Sequence, residues 1–208
     1  MESATTALQV ADWRIQMCEL YSRVRKLSLE DPPAAHRAWR DRRDELFATH
    51  PATPLLAGDR AAFTGLPVAD YDPGWRFECA IRAPLRSAMM RAETGTDGVV
   101  PFELIGTISA PEVGELDLWR LASYAGGLFL PVRDALAGAP GGTYGGGRYL
   151  LDTVKGAHLG TGRDGALIID FNFAYNPSCT YDPAWACPLP GAGNTVSVPI
   201  PVGERYFS

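Results

Sequence analysis

The sequence predicts a mainly β protein: an antiparallel β-barrel or sandwich of about seven or more short strands with two N-terminal α-helices. Three observations carry that prediction. Apolar residues recur at helical spacing only over roughly the first 50 positions. Beyond about residue 60 the apolar period drops to two, the repeat of a pleated strand. The 22 Gly and 17 Pro cluster in about the last 120 residues, where they mark many tight connections.

Trp13, Met17, Leu20, Val24 and Leu27 form one apolar stripe and predict a helix from about residue 6 to 28. Pro32 and Pro33 end it, since proline cannot continue a helix. A second helix, roughly 34 to 48, carries Trp39 and Leu46 one heptad apart and stops before Pro51 and Pro54. Its Arg37, Arg40, Arg42 and Arg43 alternate with Asp41, Asp44 and Glu45, which reads as a solvated face. "WRFECAI" then alternates Trp75, Phe77, Cys79 and Ile81 against Arg76, Glu78 and Ala80, a half-buried strand. "VVPFELIGTI", "GELDLWRL", "GLFLPVRD", "GRYLLDTV", "GALIIDFNFAY" and "NTVSVPIPV" read as further strands. Residues 1–60 are thus expected to pack as a helical segment on a β body of residues 61–208, as one structural unit.

A net charge of -5 argues against nucleic acid as the main partner, because phosphate neutralisation needs a positive face. No window reaches the ~18 consecutive apolar residues of a membrane span, and "MESATTALQVADWRIQ" has neither the charged nor the apolar region of a signal peptide. The expected compartment is the cytosol, with thiols reduced. "GTGRDG" at 160–165 matches a dinucleotide-binding spacing but precedes a strand instead of opening a helix, so it reads as a hairpin turn. No cofactor is expected. His36, His50 and His158 look solvent-facing, and none lies near a Ser or Cys it could activate. Cys179 and Cys187 lack two further ligands at zinc spacing, so no metal is expected. Two buried thiols are the expected state in a cytosolic chain, though a disulfide closing the loop is geometrically sound.

Strand parity singles out a candidate site. In "IIDFNFAY", Asp170, Asn172 and Ala174 share one face and Phe171, Phe173 and Tyr175 the other. In "GRYLLD", Arg148 shares its face with Leu150 and Asp152. If both polar faces turn inward, Arg148 meets Asp170 and Asn172 in a polar pocket; if both turn outward, they make a surface pair of little energetic weight. "GGTYGGGR" reads as a corner leading into the Arg148 strand, with an anion cradle as the alternative.

These residues carry a resemblance. "GGGRYL", then "DFNFAYNPSC", then "CPLP" with an Asn after it, resemble the domain of unknown function 1684 family, as do "AWRDRRDELFATHPATPL" and "FLPVRD". The resemblance implies a single β-rich domain with N-terminal helices and no known activity. Its signature positions fall on Asp134, Tyr144, Arg148, Tyr149, Asp170, Asn172, Tyr175, Asn176, Cys179 and Cys187. "DALAGAPGGTY" departs from the family pattern: Leu136 stands where a Thr is usual, and the turn is two residues longer.

Two functions fit this set. One is an enzyme acting on a small organic molecule, anionic or carbonyl-bearing, by hydrolysis, isomerisation or cyclisation. There Asp170 is the general acid or base, Arg148 holds an oxygen, and Asn172, Tyr149, Tyr144, Asp134, Tyr175 and Asn176 orient the substrate. The other is a non-catalytic ligand-binding or structural module in which an Arg148–Asp170–Asn172 network locks the fold. The helix stripe can dock on its own body or on a second subunit as a homodimer.

Overall fold

The computed structural model describes residues 4–94, 98–124 and 126–206. Helix α1 spans Ala4–Leu27 and α2 spans Pro32–Thr49, each within about two residues of the sequence-based bounds. The prolines that end α1 also open α2. Pro32 and Pro33 occupy its first turn, where no N–H partner is needed, and the Asp31 carboxylate caps the Ala34 N–H at 2.9 Å. No helix among the described residues is long and apolar enough to cross a membrane.

Seven strands follow among the described residues: β1 (Arg76–Cys79), β2 (Met89–Thr94), β3 (Gly98–Ala110), β4 (Gly114–Leu121), β5 (Leu128–Val132), β6 (Arg148–Asp152) and β7 (Leu167–Asp170). They form a five-stranded antiparallel meander in the order β2-β3-β4-β5-β6 and a β1-β7 pair. The two sheets do not close into a barrel. Isolated bridges join their margins, Arg82 with Thr107 and Tyr149 with Tyr175, giving a sandwich-like arrangement.

One expected strand is absent and one strand that was not expected is present. "NTVSVPIPV" is extended but forms no strand. Its start hydrogen-bonds to the backbone of residues 133–135, after which Pro199 and Pro201 remove two of the donors a ladder would need. The strand that was not expected, β2, pairs with β3; Met90 and Ala92 face the core and Arg91 and Glu93 are exposed, an alternation of only four residues.

The five-stranded sheet is apolar on both faces. One face, with Ile108, Leu116, Leu118, Leu130 and Leu151, packs against Leu167, Ile169 and Phe171 from the β7 region and against Ile200 and Val202. The other presents Phe102, Trp119, Phe129 and Tyr149 toward the Pro-rich connection after residue 176. Asn194 pins that connection down: it accepts from the Trp119 indole at 2.9 Å and donates to the Asp117 and Pro131 carbonyls. The helices cover a third cluster, in which Met17, Leu20, Val24 and Trp39 meet Ile168 and Phe173.

Two expectations about α2 are overturned. Arg43 is not solvated; it lies on the buried side one turn from Trp39, its guanidinium 4.6 Å from the Trp39 ring centroid and 2.8 Å from Glu204. His36 and His50 are buried too, whereas His158 is half-buried. His36 packs on the rings of Trp39, Tyr71 and Phe173, and its Nε2 lies 3.0 Å from the Asn172 carbonyl. A carbonyl only accepts, so the neutral ring carries its proton on Nε2.

Burial lowers the His36 pKa to about 4. The unfolded chain takes up a proton below about pH 6.5 and the folded one does not. The stabilisation is therefore complete above pH 6.5 and is lost as pH falls toward 4, by about 3 kcal/mol in all. Urea unfolding of wild type and His36→Gln at pH 7 and pH 4 should show the wild type losing about 3 kcal/mol more than the variant; parallel losses would contradict a buried neutral ring.

Candidate functional site

Arg148 stands at the start of β6 behind the predicted glycine corner. Gly147 has φ +84, and a Cβ there would lie 2.7 Å from the Val132 carbonyl oxygen, so only glycine turns the chain into the strand at this point. The Arg148 guanidinium is fully buried. Nη1 donates to the carbonyls of Val202 (2.5 Å) and Glu204 (3.1 Å), and Nη2 to the carbonyl of Ile200 (3.0 Å) and to Asp134 Oδ2 (2.8 Å). Asp134 also accepts from the Leu136 N–H at 2.7 Å and the Thr143 hydroxyl at 3.2 Å. The side chain at 136 thus matters less than its amide, which any residue but proline supplies.

Asp170 closes β7 as the cap of a 3-10 turn over Phe171–Phe173. Its Oδ1 accepts from the Asn172 N–H (3.0 Å) and Nδ2 (2.7 Å), and its Oδ2 from the Tyr71 hydroxyl (3.2 Å) and Arg76 (3.3 Å). Burial pushes the Asp170 pKa up, against the Asn172 hydrogen bonds and the Arg76 charge. Asn172 in turn exchanges two 2.8 Å bonds with the backbone of Asp72. The expected Arg148–Asp170–Asn172 network is therefore not formed. Alternation does not run through Asp170, because its side chain captures the amide two residues on and ends the strand. Arg148 and Asp170 have separate partners: Asp134 for the one, Arg76 and Tyr71 for the other.

A cleft lies elsewhere, between α1, the β6 strand with the turn after it, and the connection 177–188. Three adjoining lobes of about 60, 190 and 110 Å³ share Arg14, Lys155 and Ser178. The first is lined by Arg43, Phe47, Tyr175, Asn176 and Tyr181, the second by Val100, Phe102, Phe129, Trp185 and Cys187, and Tyr149 lies between these two.

The first lobe holds unmet hydrogen-bonding capacity. Arg43 Nη1, the Tyr175 hydroxyl and Asn176 Oδ1 are buried and have no partner among the described residues. The Asn176 amide orientation is set, since Nδ2 donates to Glu204 (3.2 Å) and to the Arg205 carbonyl (3.1 Å), which leaves Oδ1 as the group without a partner. Glu204 is the hub behind this wall: it accepts from Arg43, from the Asn176 N–H and from the Tyr181 hydroxyl. Along the rim Lys155 pairs with Asp152 at 3.1 Å, and the Asp152 charge raises the ammonium pKa. Arg14 is exposed and enters no ion pair among the described residues.

Of the residues singled out from the sequence, Tyr149, Tyr175 and Asn176 come together on this cleft. Asp134 and Arg148 form the buried clamp, Asp170 and Asn172 the turn, and Tyr144 sits at the glycine corner with its hydroxyl 3.8 Å from Cys179 Sγ. The cleft walls include none of Asp134, Arg148, Asp170 and Asn172. Sequence reasoning missed Arg14, Arg43, Lys155 and Glu204. Arg43 had a usable signal, for it follows Trp39 by four positions on the same helical face; Glu204 had none.

An antiparallel, sandwich-like β protein with two helices and an internal aromatic cleft is the class that fold and site define. The chain belongs to the family described as "Protein of unknown function (DUF1684)", whose model matches residues 61–205. It is similar to the solution NMR structure of an uncharacterised protein of Haloarcula marismortui, at 31% identity and TM-score 0.60, over 86% of this chain and 96% of that one. A comparison with curated proteins found no match.

Removing one member of a buried pair leaves the other charge uncompensated, which costs ~3–5 kcal/mol. Arg148→Met should lower the unfolding free energy by about that much, and Arg148→Met combined with Asp134→Leu should recover part of the loss. Urea titration of both variants measures the two values.

Proposed function

We propose that the protein binds a small organic anion or carbonyl compound with an apolar body in the cleft beside Arg14, Arg43 and Tyr175. One observation supports this above the rest: three residues that line a single lobe each carry a buried polar group with open hydrogen-bonding capacity. Each costs ~1–3 kcal/mol when left unmet, and proteins retain such groups where a ligand completes them. Two are donors, the Arg43 Nη1 and the Tyr175 hydroxyl, and suit a carboxylate or carbonyl oxygen. Asn176 Oδ1 accepts from a ligand N–H or O–H. The adjoining lobe offers Val100, Phe102, Phe129 and Trp185 to the rest of the molecule.

In this reading Arg148 and Asp134, and separately Asp170 and Asn172, serve to lock the fold. A general acid or base must reach its substrate within hydrogen-bond distance, and all four stand away from the cleft, so the binding reading is preferred to acid–base hydrolysis, isomerisation or cyclisation at Asp170. Arg43 serves twice, holding Glu204 through Nη2 and offering Nη1 to the ligand.

The test is a thermal-shift and calorimetric screen of arylalkanoic acids and their amides against wild type, Tyr175→Phe and Arg14→Gln. Tyr175→Phe removes only an unpartnered hydroxyl, so the free protein should melt no lower than wild type while affinity falls about tenfold, the equivalent of one hydrogen bond of ~1.4 kcal/mol. Arg14→Gln should weaken the acids more than the amides. Equal ligand shifts in all three proteins, or none in any, would refute the assignment.

A further inference from the structure

One pair of side chains on the cleft takes no part in the binding proposed above. Cys187 lines the apolar lobe together with Phe102, Phe129 and Trp185. Cys179 stands behind it, its N–H donating to Cys187 Sγ at 3.4 Å, and both sulfurs are half-buried free thiols. We propose that Cys187 and Cys179 form a redox-active dithiol, with Cys187 the nucleophile toward an organic hydroperoxide admitted through the cleft and Cys179 the resolving thiol.

The surroundings supply what such a pair needs: an accessible thiolate, stabilising donors and a second thiol within reach. Cys187 receives the Cys179 N–H. The groups that face the pair are Lys155, Asp152 and Tyr149 from β6 and the turn after it, Tyr144 from the glycine corner and Arg14 from α1. A hydrogen bond from the Cys179 thiol pulls the Cys187 pKa down to about 6, aided by the Cys179 N–H and the Lys155 charge and opposed by burial. The same contact pushes Cys179 well above the ordinary thiol range. The contact thus favours the thiolate on Cys187 and the proton on Cys179. Cys79 is buried in the core and Cys18 is exposed on α1, so the chain carries two internal controls.

The chemistry balances as follows. The Cys187 thiolate attacks the outer peroxide oxygen, the O–O bond breaks, and the alkoxide leaves and takes up a proton as the alcohol. Cys187 is oxidised by two electrons to the sulfenic acid. Cys179 sulfur then attacks Cys187 sulfur, and the hydroxide expelled leaves as water with the Cys179 proton. Two thiols and one hydroperoxide give one disulfide, one alcohol and one water. A dithiol reductant restores the pair by exchange.

At pH 6 a thiol of pKa about 6 is half thiolate, against ~0.3% for an ordinary thiol, while its lower basicity costs roughly tenfold in intrinsic reactivity. The net advantage is about tenfold at pH 6. The experiment uses the full-length reduced protein, one equivalent of cumene hydroperoxide, alkylation and peptide mass spectrometry. Wild type and Cys18→Ser should form the 179–187 disulfide about ten times faster than free cysteine reacts at pH 6. Cys187→Ser should lose that reaction, and Cys179→Ser should stop at a sulfenic acid that dimedone traps on Cys187. Oxidation confined to Cys18, or a rate in Cys187→Ser equal to wild type, would overturn the proposal. Neither outcome bears on the binding reading, whose test leaves both thiols in place and is scored at Tyr175 and Arg14.

Discussion

The C-terminal segment of this fold is held by one guanidinium. Residues 200–204 pack between the sheets with Ile200 and Val202 in the core, yet they belong to no strand. Their carbonyls have lost water without gaining a ladder, and Arg148 answers three of them from one side chain while pairing with Asp134. Arginine suits this role because its donors are fixed in a plane and stay charged when buried. Asp134 offsets the charge and at the same time organises the turn from 134 to 143 that leads to Gly147.

Glu204 continues that chain of dependence. Its carbonyl accepts from Arg148, while its carboxylate gathers Arg43 from α2 and Asn176 and Tyr181 from the connection. Helices, β body and Pro-rich connection thus meet at one residue. The cleft lies in front of this junction, where the polar groups that hold the elements together run out of protein partners. Its position follows from the packing: the second apolar face of the five-stranded sheet is covered by a connection whose prolines, Pro177, Pro183, Pro188 and Pro190, keep it from lying as a flush strand.

Much of the architecture was legible because punctuation and period agreed. The prolines at 32, 33, 51 and 54 bracket α2, and the stripe from Trp13 to Leu27 is the buried side of α1. Legibility failed where a side chain replaced a backbone partner. "NTVSVPIPV" alternates like a strand, but its later carbonyls are satisfied by Arg148, an interaction with no local pattern. "IIDFNF" alternates through a point where Asp170 captures the Asn172 amide and the chain turns. For the site, the resemblance brought Tyr149, Tyr175 and Asn176 into view, while Arg43 and Glu204 lie 161 positions apart and no spacing rule connects them.

The Arg148 clamp also has a consequence for the order of events as the chain is made. Every strand and both helices precede residue 200 in synthesis, so on the ribosome Arg148 and Asp134 exist for a time as a charged pair without the carbonyls that complete the arrangement. Interring that pair early would be unfavourable, and the cheaper course is to leave the region hydrated until the last contributors emerge. Closure of this part of the interior therefore requires residues 200–204 as well as the strands they pack between.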